Sequence, residues 1–283
     1  MSMEVGREEP RLFEEVLDWL LTNERLISVQ RLRNLAIDDA DRALVEAVLG
    51  WMGQKRRRPR LGAKAAPAER ENAPQPFFRN SRLPIVEPDP AFLAQGFLKP
   101  LSEPTGKSQS PDLRLPINFA FRLRLLLGIG VRAEAVRVLL TAETPWMEVQ
   151  ALARSTAYTK RNVQEAVGAL REAGALGSWE LGNEQRLEVS RQHWADFLAL
   201  GSLPQHRDWP QRFTAYRKIL RWLADPTKQN LSKYMLSSEA QSLVEEVDLD
   251  LRFSGATLET GIPPSDPSYW ENFAQRVREL SLL

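Results

Sequence analysis

Eleven of the chain's nineteen prolines stand between Gly53 and Pro116, at positions 59, 67, 74, 76, 84, 88, 90, 100, 104, 111 and 116. A pyrrolidine ring removes a backbone donor and clashes with the preceding turn, so this band can hold neither a long helix nor a central sheet. Regular structure is pushed to its two sides. Within the band, Phe77-Phe78, Ile85-Val86, Phe92-Leu93 and Phe97-Leu98 recur as apolar pairs, which suits an extended strap lying on a folded domain. The band opens on Lys55-Arg56-Arg57-Arg58-Pro59-Arg60. Such a run is either a solvated linker or a flexible arm that brings phosphate contacts to a neighbouring DNA-binding element.

On the N-terminal side, residues 10 to 52 are patterned as helices. Phe13, Val16, Leu17, Leu20 and Leu21 make one stripe, Ser28 caps a shorter run with Val29, Leu32 and Leu35, and Asp38 or Asp39 opens a third helix carrying Leu44, Val45, Val48, Leu49 and Met52.

On the C-terminal side, residues 131 to 189 form the most specific pattern in the chain. Val136, Leu139 and Leu140 mark a first helix that Pro145 ends, and Trp146, Val149, Leu152 and Ala153 mark a second. A turn from Arg154 to Tyr158 leads to Thr159, an N-cap for a third helix that faces the core through Val163, Ala166, Val167 and Leu170. Gly174 ends it. Two β-leaning runs, 176 to 181 and 185 to 189, are then joined by Gly182-Asn183, which is hairpin chemistry.

This order of elements resembles the bacterial winged helix regulators of the MarR and ArsR type, over about a fifth of the chain. The resemblance implies double-stranded DNA binding and transcriptional regulation, with the third helix in the major groove and the hairpin as the wing. It assigns groove contacts to Thr159, Lys160, Arg161, Asn162, Gln164 and Glu165, whose side chains include partners for phosphates, guanine and adenine. Arg154 and Tyr158 would meet phosphate or sugar, and Arg186 a phosphate or the minor groove. In such regulators helices beside the reading head often form the dimer interface, so the apolar run 117 to 127 is expected to be buried between domains or subunits of a homodimer. The N-terminal block repeats the helix order. Val29-Gln30 with Leu32 parallels Val149-Gln150 with Leu152, and Glu46-Ala47-Val48 parallels Glu165-Ala166-Val167, so the block is either a second helix-turn-helix or a packing bundle.

Charge sets a condition on this reading. Residues 131 to 190 carry seven Lys and Arg against eight Asp and Glu, so phosphate affinity must come from a local face, a dimer or the arm at Lys55 to Arg58. The competing reading is a protein-interaction or antitoxin-like subunit that holds a partner with its winged helix and C-terminal helices.

Enzyme chemistry lacks its parts. There is no cysteine, and the two histidines, His193 and His206, are thirteen residues apart with no base or ligand at motif spacing. Gly128-Ile129-Gly130-Val131-Arg132-Ala133 fits a dinucleotide fingerprint, but no βαβ pattern surrounds it, so it reads as a hinge between helices. Thr105-Gly106-Lys107-Ser108 ends like a phosphate-binding loop but has Leu101 where the earlier glycine belongs. The acidic group Glu245, Glu246, Asp248 and Asp250 reads as a solvated face. No cofactor or metal is expected.

The acidic, polar N-terminus and the lack of a long apolar run lead us to expect a cytoplasmic protein with no membrane span. The fold class is mostly α and multi-domain with a central winged helix-turn-helix. The segments are an N-terminal helical domain at 1–52, the strap at 53–116, the winged helix at 117–190 and a C-terminal helical domain at 191–283. In the last, Asp208-Trp209-Pro210 starts a helix with Phe213, Tyr216, Leu220 and Leu223 at helical spacing, read as core. Further helices are expected at 232–247 and 267–282.

Overall fold

Side-chain caps set most of the helix starts, as the sequence pattern requires. Glu9, Ser28, Asp38 and Asp89 each accept a backbone N–H at the start of α2 (Pro10–Thr22), α3 (Val29–Asn34), α4 (Asp39–Lys55) and α5 (Pro90–Leu93), with α1 at Ser2–Val5 before them. The computed structural model describes residues 2–56, 73–80, 85–182, 184–204 and 207–280. The chain is mostly α-helical and forms two compact units, one ending at residue 206 and the other beginning at Arg207.

The first core of the N-terminal unit is built jointly by helices and strap. Phe13 and Leu17 from α2 and Val48, Trp51 and Met52 from α4 enclose Phe77, Phe78, Phe92 and Phe97 from the proline-rich band. Phe77 lies at the centre, with ring centroids 4.5 Å from Phe13, 5.1 Å from Phe92 and 5.6 Å from Phe97. β1 (Gln75–Pro76) and β2 (Phe97–Leu98) pair in parallel to hold these rings in register. The strap is thus part of a core, although Val86 and Leu93 point to solvent.

The Thr105–Ser108 segment proves to be a cap for Asp18. The amides of Gly106 and Ser108 each donate to its carboxylate at 2.9 Å and the Thr105 hydroxyl donates at 3.1 Å. Burial raises the Asp18 pKa, but these bonds outweigh it and hold the carboxyl below its usual value.

The second core of this unit is formed by α6 (Phe119–Leu127), α7 (Val131–Thr141), α8 (Val149–Thr156), α9 (Lys160–Glu172) and a three-stranded antiparallel sheet. The strands are β3 (Trp146–Glu148), β4 (Gly177–Leu181) and β5 (Glu184–Glu188), in the order β3-β5-β4. Two boundaries differ from the sequence reading. Trp146 to Glu148 is strand, because Met147 pairs with Leu187 and packs on the core, and the helix begins only at Val149. α10 (Arg191–Phe197) and the following Leu198 and Leu200 also belong to this core, so the first unit continues past residue 190. The Gly128–Gly130 segment joins α6 to α7, with Gly128 at φ +86 where a side chain would strain the backbone. α6 buries Phe119 and Leu123 but leaves Leu125 and Leu126 exposed, so the described residues cover its apolar surface on one side only.

The second unit contains α11 (Trp209–Leu223), α12 (Lys233–Phe253) and α13 (Tyr269–Leu280). Its core is Ala215, Ile219, Leu243, Val244, Val247, Leu251, Tyr269 and Phe273. The stripe Phe213, Tyr216, Leu220 and Leu223 therefore needs correction: Phe213, Leu220 and Leu223 are exposed, and Ala215 and Ile219 face α12. α11 has two apolar faces, and periodicity alone does not select the one whose small residue allows close approach. Lys218 bridges Glu246 and Asp250, and Arg252 holds Asp248, so these carboxylates lie on an ion-paired surface. No helix among the described residues is long and apolar enough to cross a membrane.

Candidate nucleic-acid interface

α9 buries Val163, Ala166, Val167 and Leu170 and turns Lys160, Arg161 and Gln164 to solvent. Its spacing is that of a helix with one apolar stripe, so the outer face follows from the inner one. Thr159 accepts from the Asn162 amide at 3.2 Å, and its hydroxyl donates to the Asn162 side-chain oxygen. Thr159 and Asn162, expected as groove contacts, are thus engaged in the cap. At the far end Gly174 adopts φ +69. Arg161 is 88% exposed in its side chain and pairs with Glu165 at 3.0 Å. An exposed pair of this kind contributes about 0.2–1 kcal/mol, so it yields readily to a stronger anion.

The rest of the expected contacts divide. Arg154 is exposed on the last turn of α8. Tyr158 is not a surface residue: it is buried, and its hydroxyl lies 2.7 Å from Ser28 Oγ. Burial raises the Tyr158 pKa against the lowering effect of the Ser28 bond. Arg186 is also redirected. It stands opposite Trp179 in the hairpin register, with its guanidinium 3.5 Å from the Trp146 ring centroid, so it stacks on its own sheet. Lys55 pairs with Glu103 and Arg56 with Glu24, each at 2.5 Å, which ties the start of the basic run to the strap and to the segment after α2. Arg57 and Arg58 lie outside the described residues, as does His206.

Sequence reasoning missed Arg171 and Asn34. Arg171 is exposed three turns beyond Lys160 on α9 and donates to Ser178 Oγ of the hairpin at 3.2 Å, and Gly168 between them leaves the face open. The i, i+3, i+7, i+10 series Arg161, Gln164, Gly168, Arg171 carried that signal. Asn34 could not be found from the sequence, since it arrives from another block. Its amide donates to the Ala157 carbonyl at 2.9 Å.

That bond is one of several by which α3 seats against the turn before α9. Arg31 Nε donates to the Thr156 carbonyl at 2.9 Å, and Arg124 Nη1 donates to the Leu26 carbonyl at 2.7 Å. Both guanidiniums, together with Arg137, surround Glu134, which is 2% exposed. Arg124 donates to Glu134 Oε1 at 2.6 Å and Arg137 to Oε2 at 2.9 Å. Burial raises the Glu134 pKa, but Arg137, Arg31 and Arg124 overcome it and bring the value to about 2. Ala157, at φ +58, takes a left-handed conformation in the turn, and Asn34 and Arg31 hold its carbonyl and that of Thr156.

A pH dependence follows from Glu134. Its folded pKa of about 2 lies below its ordinary 4.5, so its stabilisation is full above pH 4.5 and is lost as the pH falls through 2. The contribution is about 3 kcal/mol. Denaturant unfolding at pH 6 and pH 3 is expected to show a lower midpoint at pH 3, with a smaller difference in Glu134→Gln. Equal differences in the two proteins would remove Glu134 from the account.

The two helix-turn-helix-like blocks are not equivalent. α4, the counterpart of α9, begins with Asp38, Asp39 and Asp41, and its faces are buried against α2 and the strap. α4 therefore starts acidic where α9 starts basic, and the N-terminal block meets the turn before α9 through Arg31 and Asn34. Comparisons with protein families, with characterised proteins and with solved structures find no match to this chain.

Proposed function

We propose that the central module is a winged helix-turn-helix and that the protein is a sequence-specific double-stranded DNA-binding transcriptional regulator. The observation that carries the reading is the outer face of α9, where Lys160, Arg161 and Gln164 project, exposed, from a capped helix start with no covering element among the described residues of their unit. Lys160, Arg161 and Arg154 grip phosphate, and Gln164 offers the paired donor and acceptor that adenine reads. Arg171 continues the face toward the hairpin. The N-terminal block holds the turn so that α9 enters at a fixed angle. A homodimer reading two half-sites supplies the further charge that the near-neutral module requires.

A second reading, a protein-partner module, draws on the exposed Trp179 and Leu181 of the hairpin and the exposed stripe of α11. One titration separates the two. Binding of a mixed-sequence duplex, followed by fluorescence anisotropy, is expected to weaken as salt rises from about 50 to about 200 mM, by about forty-fold if three phosphates are neutralised. Absence of binding at the lower salt overturns the DNA reading.

A further inference from the structure

At the root of the hairpin, residues 174–177 and 188–190 and one side of α10 line an open cleft of about 560 Å³. That volume falls within the span of small-molecule pockets. A Cβ on Gly177 would stand 3.2 Å from Glu188 Oε1, so glycine here gives the carboxylate its place beside the cleft. Two rings form a corner: Trp194 and Phe197 have centroids 5.9 Å apart at 87°. Trp194 packs on the second core, which fixes its position, but Phe197 is 65% exposed. His193 also lines the cleft, and among the described residues no Lys or Arg does.

The charge pattern selects a ligand class. Glu188 is the one carboxylate in the lining, and no hydrogen bond or ion pair engages it among the described residues. Aromatic faces carry negative quadrupole potential, so two perpendicular rings beside a carboxylate attract a desolvated cation and repel an anion. We propose that this cleft binds a small organic cation, an ammonium carrying methyl or aryl groups, with Glu188 as counter-charge and Trp194 and Phe197 as walls. The site lies at the C-terminal end of α9, about 20 Å along the helix from Lys160, and its test does not depend on DNA binding.

Benzyltrimethylammonium titrated into the full chain at pH 8, followed by calorimetry, is expected to bind saturably in the millimolar range or tighter. Benzyl alcohol is expected to bind more weakly and benzoate not to bind. Phe197→Ala and Glu188→Gln are each expected to weaken the cation by about fivefold or more. Both residues are exposed, so an unchanged thermal midpoint identifies folded variants. Failure of the cation to saturate, equal affinity for benzoate, or wild-type affinity in both variants overturns the proposal.

Discussion

Glu134→Ala is expected to destabilise the N-terminal unit by about 3–5 kcal/mol, because it leaves three enclosed guanidiniums without their anion. Arg31, Arg124 and Arg137 have side chains only 14–15% exposed, so water cannot replace the carboxylate. A loss of that size is a large part of the stability of an ordinary domain. Arg31 belongs to the N-terminal block and Glu134 to α7, so the damage should concentrate where the blocks meet. Amide exchange at Ala157 and Tyr158 should accelerate more than exchange in the β4–β5 hairpin. Glu134→Gln keeps the shape and one acceptor oxygen, though its NH2 faces an arginine donor, and should lose less. A change below about 1 kcal/mol for the alanine variant, measured by denaturant unfolding at pH 7, would mean that the arginines find other partners.

Phe77→Ala is expected to cost about 3–5 kcal/mol, as for other large aromatic truncations in a core. Phe77 is fully buried and touches Phe13, Phe78, Phe92 and Phe97, so its removal leaves a cavity between helix and strap. The Arg7 guanidinium lies 5.4 Å from the Phe77 ring centroid and its Nε donates to the Phe77 carbonyl at 3.0 Å, which fixes the strap from the other side. Val86→Ala, on the same strap but exposed, is expected to lie within about 0.5 kcal/mol of wild type. If the two variants unfolded alike, the strap would be an accessory and not part of the core.

The contrast between these residues shows what the sequence made legible. Apolar pairs in the strap were visible as pairs, but only the tertiary core separates Phe77 and Phe92, which it encloses, from Val86, which it leaves out. Local rules served well where one helix decides: Thr159 caps α9, and Val163, Ala166, Val167 and Leu170 face inward as their spacing requires. They failed where a distant partner decides. Tyr158 reads as a polar turn residue until Ser28 meets its hydroxyl, and Arg186 reads as a wing cation until Trp146 lies beneath it. Trp146 itself was drawn into a helix by its apolar neighbours, and β5 makes it a strand. The Glu134 cluster was illegible for the same reason, since its four members are spread from Arg31 to Arg137 and each alone looks like a surface charge.

These corrections narrow the proposed interface to the outer face of α9 with Arg154 and Arg171. Affinity for duplex DNA of the double variant Lys160→Ala with Arg161→Ala is the most direct test. Both side chains are exposed, so the thermal midpoint should match that of wild type. Affinity is expected to fall at least tenfold at moderate salt, with a salt slope smaller by about 2. Unchanged affinity and an unchanged slope in the folded double variant would contradict the proposed interface.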